Sequence, residues 1–155
     1  MKIILFQPDI PQNTGNIIRT CSLTNTDLIL VKPLGFSINE KNLKRAGLDY
    51  FNKTKIEQID DLESYLSGKK SFYFLSSKAK KLYSDVKFEI NSILIFGSET
   101  SGLPEIYHEK YPDNFITIPM IENARCLNLS NSVAIVLYEA LRQNSFSNLK
   151  IKNND

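Results

Sequence analysis

Short apolar runs of four or five residues, each halted by a turn signal, alternate along this chain with stretches of helical period. Ile3 to Phe6 stops at Gln7-Pro8, and Leu28 to Val31 stops at Lys32-Pro33-Leu34-Gly35. Ser71 to Leu75, Ile93 to Phe96 and Phe115 to Ile118 repeat the form, and Ile56 to Ile59 is a further candidate strand. Unbroken apolar runs of this length suit strands covered on both faces, as in a parallel sheet. Between them the spacing predicts a helix from Gly15 to Asn25, capped by Asn13 or Thr14, with Ile17, Ile18, Cys21 and Leu23 inward. A basic helix is expected from Asn39 to Ala46, ending at Gly47, and another from an Asp60 cap to Leu66, closed by Gly68. Pro104 to Lys110 fits a short helix with proline in its first turn. Ser130 to Gln143 places Val133, Val136, Leu137, Ala140 and Leu141 on one side at three- and four-residue spacing. The expectation is an α/β fold with a mainly parallel sheet flanked by helices, in which ligands sit beyond the carboxyl ends of the strands.

The chain has 155 residues, enough for one domain with one substantial core. That domain is expected to span residues 1–155, with a polar, frayed tail from about residue 146. A net charge of +2 is too mild to mark a nucleic-acid binder by itself. The basic residues do cluster, in Lys41, Lys44 and Arg45, in Lys69 and Lys70, and in Lys78, Lys80 and Lys81. Each cluster suits either a solvated face or phosphate contacts. Cys21 and Cys126 are the two cysteines and lack metal-ligand spacing, so neither a disulfide framework nor a zinc site is expected. The opening apolar run is too short for a signal peptide, and no run approaches a membrane span; a cytoplasmic protein without a membrane partner is expected.

Two amide-rich stretches run straight into helices: Pro11-Gln12-Asn13-Thr14-Gly15-Asn16-Ile17-Ile18-Arg19, and Arg125-Cys126-Leu127-Asn128-Leu129-Ser130-Asn131-Ser132-Val133 after Ile118-Pro119-Met120. Such segments present free backbone groups to a ligand. Between them lies Leu94-Ile95-Phe96-Gly97-Ser98-Glu99-Thr100-Ser101-Gly102-Leu103-Pro104. A residue without a Cβ directly after a buried strand lets a ligand or another backbone come close, or makes a tight turn. All three loops follow predicted strands at the same end of the sheet, which points to one shared pocket. Neither a GxGxxG after the first strand nor a GxxxxGK[ST] is present, which excludes the usual dinucleotide and P-loop cradles. His108 is the sole histidine and reads as surface helix, which weakens any Ser-His scheme.

Together the three segments resemble the motifs of the SPOUT superfamily of knotted RNA methyltransferases. They are most similar to the small, single-domain enzymes that methylate the ribose 2′-hydroxyl of the wobble cytidine or uridine of tRNA. Leu43-Lys44-Arg45-Ala46-Gly47-Leu48-Asp49-Tyr50 resembles a basic segment of that subgroup. The resemblance covers residues 1–144 and implies a deep C-terminal trefoil knot, which no hydrophobic periodicity could reveal, and a homodimer packed through the knotted region. It implies S-adenosylmethionine as cofactor, held by Leu75, Gly97, Ile118 and Cys126, with Met120 and Leu127 packing on the adenine. Many relatives carry Ser at the position of Cys126, so the contact there is through backbone or through side chain.

The resemblance also places Arg19 as the catalytic residue, serving the cofactor pocket of the partner subunit. On its residue type alone, Arg19 could equally be a salt-bridge partner. A guanidinium stays protonated, so its expected role is to favour the developing alkoxide or to relay the proton. No metal is called for. Asn13, Arg45 and Tyr138 are the expected contacts to RNA, the anticodon stem-loop of tRNA. Tyr138 could instead pack in the dimer interface, and Asn131 could fix its loop by amide hydrogen bonds. Glu99 suits bracing the loop better than acid catalysis. A methyltransferase for another RNA position and a catalytically silent RNA-binding dimer are the competing expectations.

Overall fold

The structure, a computed structural model, describes residues 1–37, 54–147 and 149–150. The expected basic helix from Asn39 to Ala46, and Arg45 with it, lie outside the described residues. The strands are β1 (Lys2–Phe6), β2 (Asp27–Val31), β3 (Ile56–Ile59), β4 (Phe72–Leu75), β5 (Lys81–Leu82), β6 (Ile93–Phe96) and β7 (Phe115–Thr117). The helices are α1 (Pro11–Thr24), α2 (Leu62–Leu66), α3 (Glu105–Lys110) and α4 (Leu129–Gln143). One seven-stranded sheet runs β3-β2-β1-β6-β4-β7-β5. Every strand pair in it is parallel.

Strand periodicity of two explains why the apolar runs are unbroken. Ile3, Leu5, Leu28, Leu30, Leu94 and Phe96 face one side, where Ile17, Ile18 and Cys21 of α1 and Val133, Val136, Leu137 and Ala140 of α4 cover them. Ile4, Ile29, Val31, Phe72, Phe74, Ile93 and Ile95 face the other, against Leu62 and Leu66 of α2 and Tyr107 of α3. Helices therefore cover both faces of the sheet, and Phe74 stacks on Phe115 at 4.8 Å between ring centroids.

Several boundaries differ from expectation for local reasons. α1 begins at Pro11, not near Gly15, because proline's fixed φ suits a first helical position. Asn13 and Thr14 are therefore inside the helix and buried, and Ile10 is its cap residue without a side-chain cap. Leu23 points outward at 55% exposure. The inner position falls instead to Thr24, buried with its hydroxyl on the Thr20 carbonyl at 2.8 Å. Asn25 ends the helix in the left-handed region at φ 51°, donating its N–H to Cys21. Asp61, not Asp60, caps α2, accepting from the backbone of Glu63 at 3.0 Å and Ser64 at 3.3 Å. The Ser64 hydroxyl and these N–H groups hold the Asp61 carboxyl below its ordinary pKa. Pro104 is the cap residue of α3 rather than its first turn. Beyond α4, Leu149 packs on the α1–α4 side of the core, and residues 151–155 of the expected tail lie outside the described residues.

Candidate active site

At the carboxyl ends of β4, β6 and β7 the three motif loops enclose a cleft of about 500 Å³. That size falls within the range of about 300–1,000 Å³ usual for small-molecule sites. Leu75, Gly97, Ile118, Met120, Cys126 and Leu127 all line it, drawn from segments up to 52 positions apart in sequence. Asn13 reaches it from α1, and Ser76, Ser77 and Lys78 from the turn after β4.

The Gly97 loop is a closed hairpin. Ser98 and Gly102 exchange both backbone hydrogen bonds, at 3.2 and 3.0 Å. A Cβ on Gly97 would lie 2.3 Å from the carbonyl carbon of Gly102, so glycine is there for the close approach of a second backbone. Gly102 itself has φ +69°, a conformation glycine adopts without strain.

A hydrogen-bonded chain ties this hairpin to the other two motifs. Glu99 accepts from the backbone N–H of Asp9 at 2.9 Å and from the Asn13 side-chain amide at 2.8 Å. The Asn13 carbonyl oxygen in turn accepts from the Asn128 amide at 2.9 Å. Asn128 caps α4, taking the Ser130 N–H at 2.9 Å and the Ser130 hydroxyl at 2.7 Å. Thus Glu99 braces, with both carboxylate oxygens engaged. Asn13 is 6% exposed, with its side-chain oxygen and an amide hydrogen committed to this brace. The loop-fixing role expected of Asn131 belongs to Asn128, since Asn131 faces solvent. Position explains the substitution: Asn128 stands just before the first helical residue, where a side-chain acceptor meets the free N–H groups.

The opposite wall is unlike this one. Met120 is 37% exposed, Leu127 39% and Ile121 84%, and Cys126 is exposed. Leaving large apolar side chains in water at the rim of a cleft is what a wall completed by its ligand looks like. Cys21 is the contrary case: burial pushes its thiol up to about 12, so it is a small core hydrophobe.

Among the lining residues that sequence reasoning missed are the two with basic side chains. His108 is half-buried rather than on the outer surface; it lines the cleft and lies flat on Phe115, 3.8 Å between centroids. Lys78 carried a signal only as part of a lysine cluster. Arg19 and Tyr138 do not line this cleft; Arg19 is exposed on α1, and Tyr138 is 46% exposed on α4. Among the described residues no His/Cys/Asp/Glu group could hold a metal ion, and no helix is long and apolar enough to cross a membrane.

A parallel α/β sheet with a cleft walled by three such loops defines a class, and residues 1–138 match the SpoU rRNA Methylase family. The chain belongs to that family. Among its relatives is the tRNA (cytidine(34)-2′-O)-methyltransferase of Methylovorus glucosotrophus, 46% identical over 149 residues, covering 94% of this chain and 96% of the relative. The enzyme of the same name from Photorhabdus asymbiotica is 42% identical over 160 residues, covering 98% and 99%. A solved structure concerned with the 2′-OH methylation of C/U34 on tRNA superposes with a TM-score of 0.88 at 34% identity, covering 94% of this chain and 96% of that one. The SpoU methyltransferase AviRb of Streptomyces viridochromogenes, solved with AdoMet, shares the fold at a TM-score of 0.83 and 21% identity, over 94% and 61% of the two chains.

Proposed function

We propose that this protein transfers the methyl group of S-adenosylmethionine to the ribose 2′-hydroxyl of the wobble cytidine or uridine of tRNA. The observation that carries this is the convergence of the three motif loops on one cleft. The family match and the relatives at 42% and 46% identity supply the substrate.

The residues present fit the cofactor. Leu75, Ile118, Met120 and Leu127 offer apolar surface for an adenine, and the hairpin behind Gly97 offers backbone groups rather than a charged grip. Cys126 contacts the cofactor through its backbone on this reading, because a thiol is a weak donor. When bound, S-adenosylmethionine supplies a methyl group already activated by its positive sulfur. The remaining task is alignment and relief of charge on the ribose oxygen, and no residue needs to act as a metal ligand.

Arg19 is the residue assigned to the ribose oxygen, and it acts on the cleft of a partner subunit. Supporting this, Arg19 is exposed on α1 and absent from the lining of its own cleft. Leu23, one turn further along α1, is exposed, as are Ile135 and Tyr138 of α4, the helix packed on α1. Apolar side chains on two adjoining helices suit a homodimer interface, with Tyr138 packing there or reaching the RNA. Arg45 is assigned to the RNA backbone. The trefoil knot belongs to the same reading: β6 lies between β1 and β4, β7 between β4 and β5, and the chain then returns to pack α4 on α1. A cytoplasmic location follows from a tRNA substrate.

Methyl transfer to purified tRNAs, followed by mapping of the modified nucleoside, tests the reaction. Methylation is expected at the ribose of residue 34; methylation elsewhere in RNA overturns the position, and none at all favours a silent RNA-binding dimer. The shared site is tested by mixing Arg19→Ala with Gly97→Ala, each inactive alone. Recovered activity is expected, because the mixed dimer holds one cleft with intact Gly97 facing an intact Arg19.

A further inference from the structure

The cleft holds few charges, and they are unequally occupied. Glu99 is the sole carboxylate among its described lining residues, and both of its oxygens accept hydrogen bonds from Asp9 and Asn13. Of the two basic side chains, His108 lies flat on Phe115. The other is Lys78. Its ammonium stands 3.6 Å from Glu105, with the two side chains 74% and 66% exposed. An ion pair so long and so wet contributes little and is readily exchanged.

The backbone beneath Lys78 is, by contrast, fixed. Ser76 donates its N–H to the Ile116 carbonyl at 3.0 Å, anchoring the turn to β7. The Ser76 hydroxyl accepts the Lys78 N–H at 3.2 Å, and the Ala79 N–H closes on Ser76 at 3.2 Å. A long side chain thus springs from a rigid turn at the mouth of the cleft, paired with a solvated carboxylate outside the lining.

The methyl donor carries one anionic group, the α-carboxylate of its amino-acid end. We propose that Lys78 receives this carboxylate, releasing Glu105 to do so. The inference rests on the reading of the cleft as the cofactor site and adds a specific partner for the charged end of the ligand. The adenosine end meets the apolar wall, and the amino-acid end meets the one ammonium among the described lining residues, which is freed at small cost.

Calorimetry on the full chain tests this with two ligands, S-adenosylhomocysteine and 5′-methylthioadenosine, which shares the adenosine and thioether but lacks the amino-acid end. Replacing Lys78 by Met is expected to weaken S-adenosylhomocysteine about tenfold, as loss of a charge-assisted hydrogen bond does. Methylthioadenosine should change by less than about twofold, since no ion pair of strength is removed. Lys78→Arg should restore most of the loss. An equal ratio of the two affinities in wild type and Lys78→Met overturns the proposal, as does a loss confined to tRNA affinity, which would give Lys78 to a phosphate instead. Failure of wild type to bind either ligand overturns the cofactor cleft itself, a result distinguishable from failure at Lys78 alone.

Discussion

The two walls of the cleft are built on opposite principles. The inner wall, the Gly97 hairpin, is fixed before any ligand arrives: two backbone bonds close it, and Glu99, Asn13 and Asn128 tie it to α1 and α4. The outer wall, from Met120 to Leu127, is held by one backbone turn bond from Ala124 to Ile121 among the described residues and leaves apolar side chains in water. Buried polar groups that are fully satisfied specify one geometry. Exposed apolar groups gain only when something covers them. A preformed inner wall thus faces an outer one with an exposed apolar rim.

The contrast is broken most sharply at Gly97. Gly97→Ala forces a Cβ into the Gly102 backbone at 2.3 Å. Calorimetry should find cofactor affinity abolished, and thermal unfolding should find stability lowered by about 1–3 kcal/mol, the usual cost of overpacking. Binding that survived intact would mean the inner wall is not rigid.

Asn13→Ala comes next. It strips Glu99 of one partner and Asn128 of another. Glu99 is half-buried and Asn128 exposed, so water replaces part of what is lost and a cost of about 1 kcal/mol is expected. Denaturant unfolding of Asn13→Ala, Asn128→Ala and the double variant should show the double change costing less than the sum, because the two share one bond. Full additivity would break the chain of braces.

Leu127→Ser should do the reverse. Its stability cost is expected to stay within about 0.5 kcal/mol, as for surface positions, while affinity for S-adenosylhomocysteine falls several-fold. A loss of stability without a loss of affinity would show that the outer wall is structural.

The cysteines give the smallest and most direct contrast. At neutral pH a thiol reagent should modify Cys126 rapidly, with protection by S-adenosylhomocysteine, and leave Cys21 untouched in the folded chain. The raised pKa of Cys21 also fixes a sign. In the folded protein the thiol keeps its proton up to about 12, whereas the unfolded thiol loses it near its ordinary value of 9.0. Above that lower value the unfolded state binds fewer protons, so stability should fall as pH rises toward 12 and be indifferent to this group below pH 9. Cys21→Ala should flatten that decline.

Most of the architecture was legible because periodicity reports it directly. The inward face of α4 holds the five residues its spacing predicts; five of the seven strands fall on apolar runs, and β3 falls where a strand was expected although Glu57 and Gln58 interrupt it. β5 escaped because Lys81–Leu82 is two residues long, too short for any alternation, and exists as a strand only because β7 offers it an edge. Helix starts slipped by one to four residues where proline competed with a better-known cap, as at Pro11 and Pro104. His108 was read outward because its neighbours are polar, yet the fold lays it on Phe115, which no local pattern encodes.

The sequence alone determined which segments are strands and helices, that the sheet is parallel, and that three loops share one end of it, because hydrophobic period and chain direction are local properties. Only the tertiary structure decided that Glu99, Asn13 and Asn128 form one brace, that the Gly102 backbone presses on Gly97, and that Lys78 faces the cleft. Those are contacts between residues up to 115 positions apart, and geometry at that range is set by how whole elements pack.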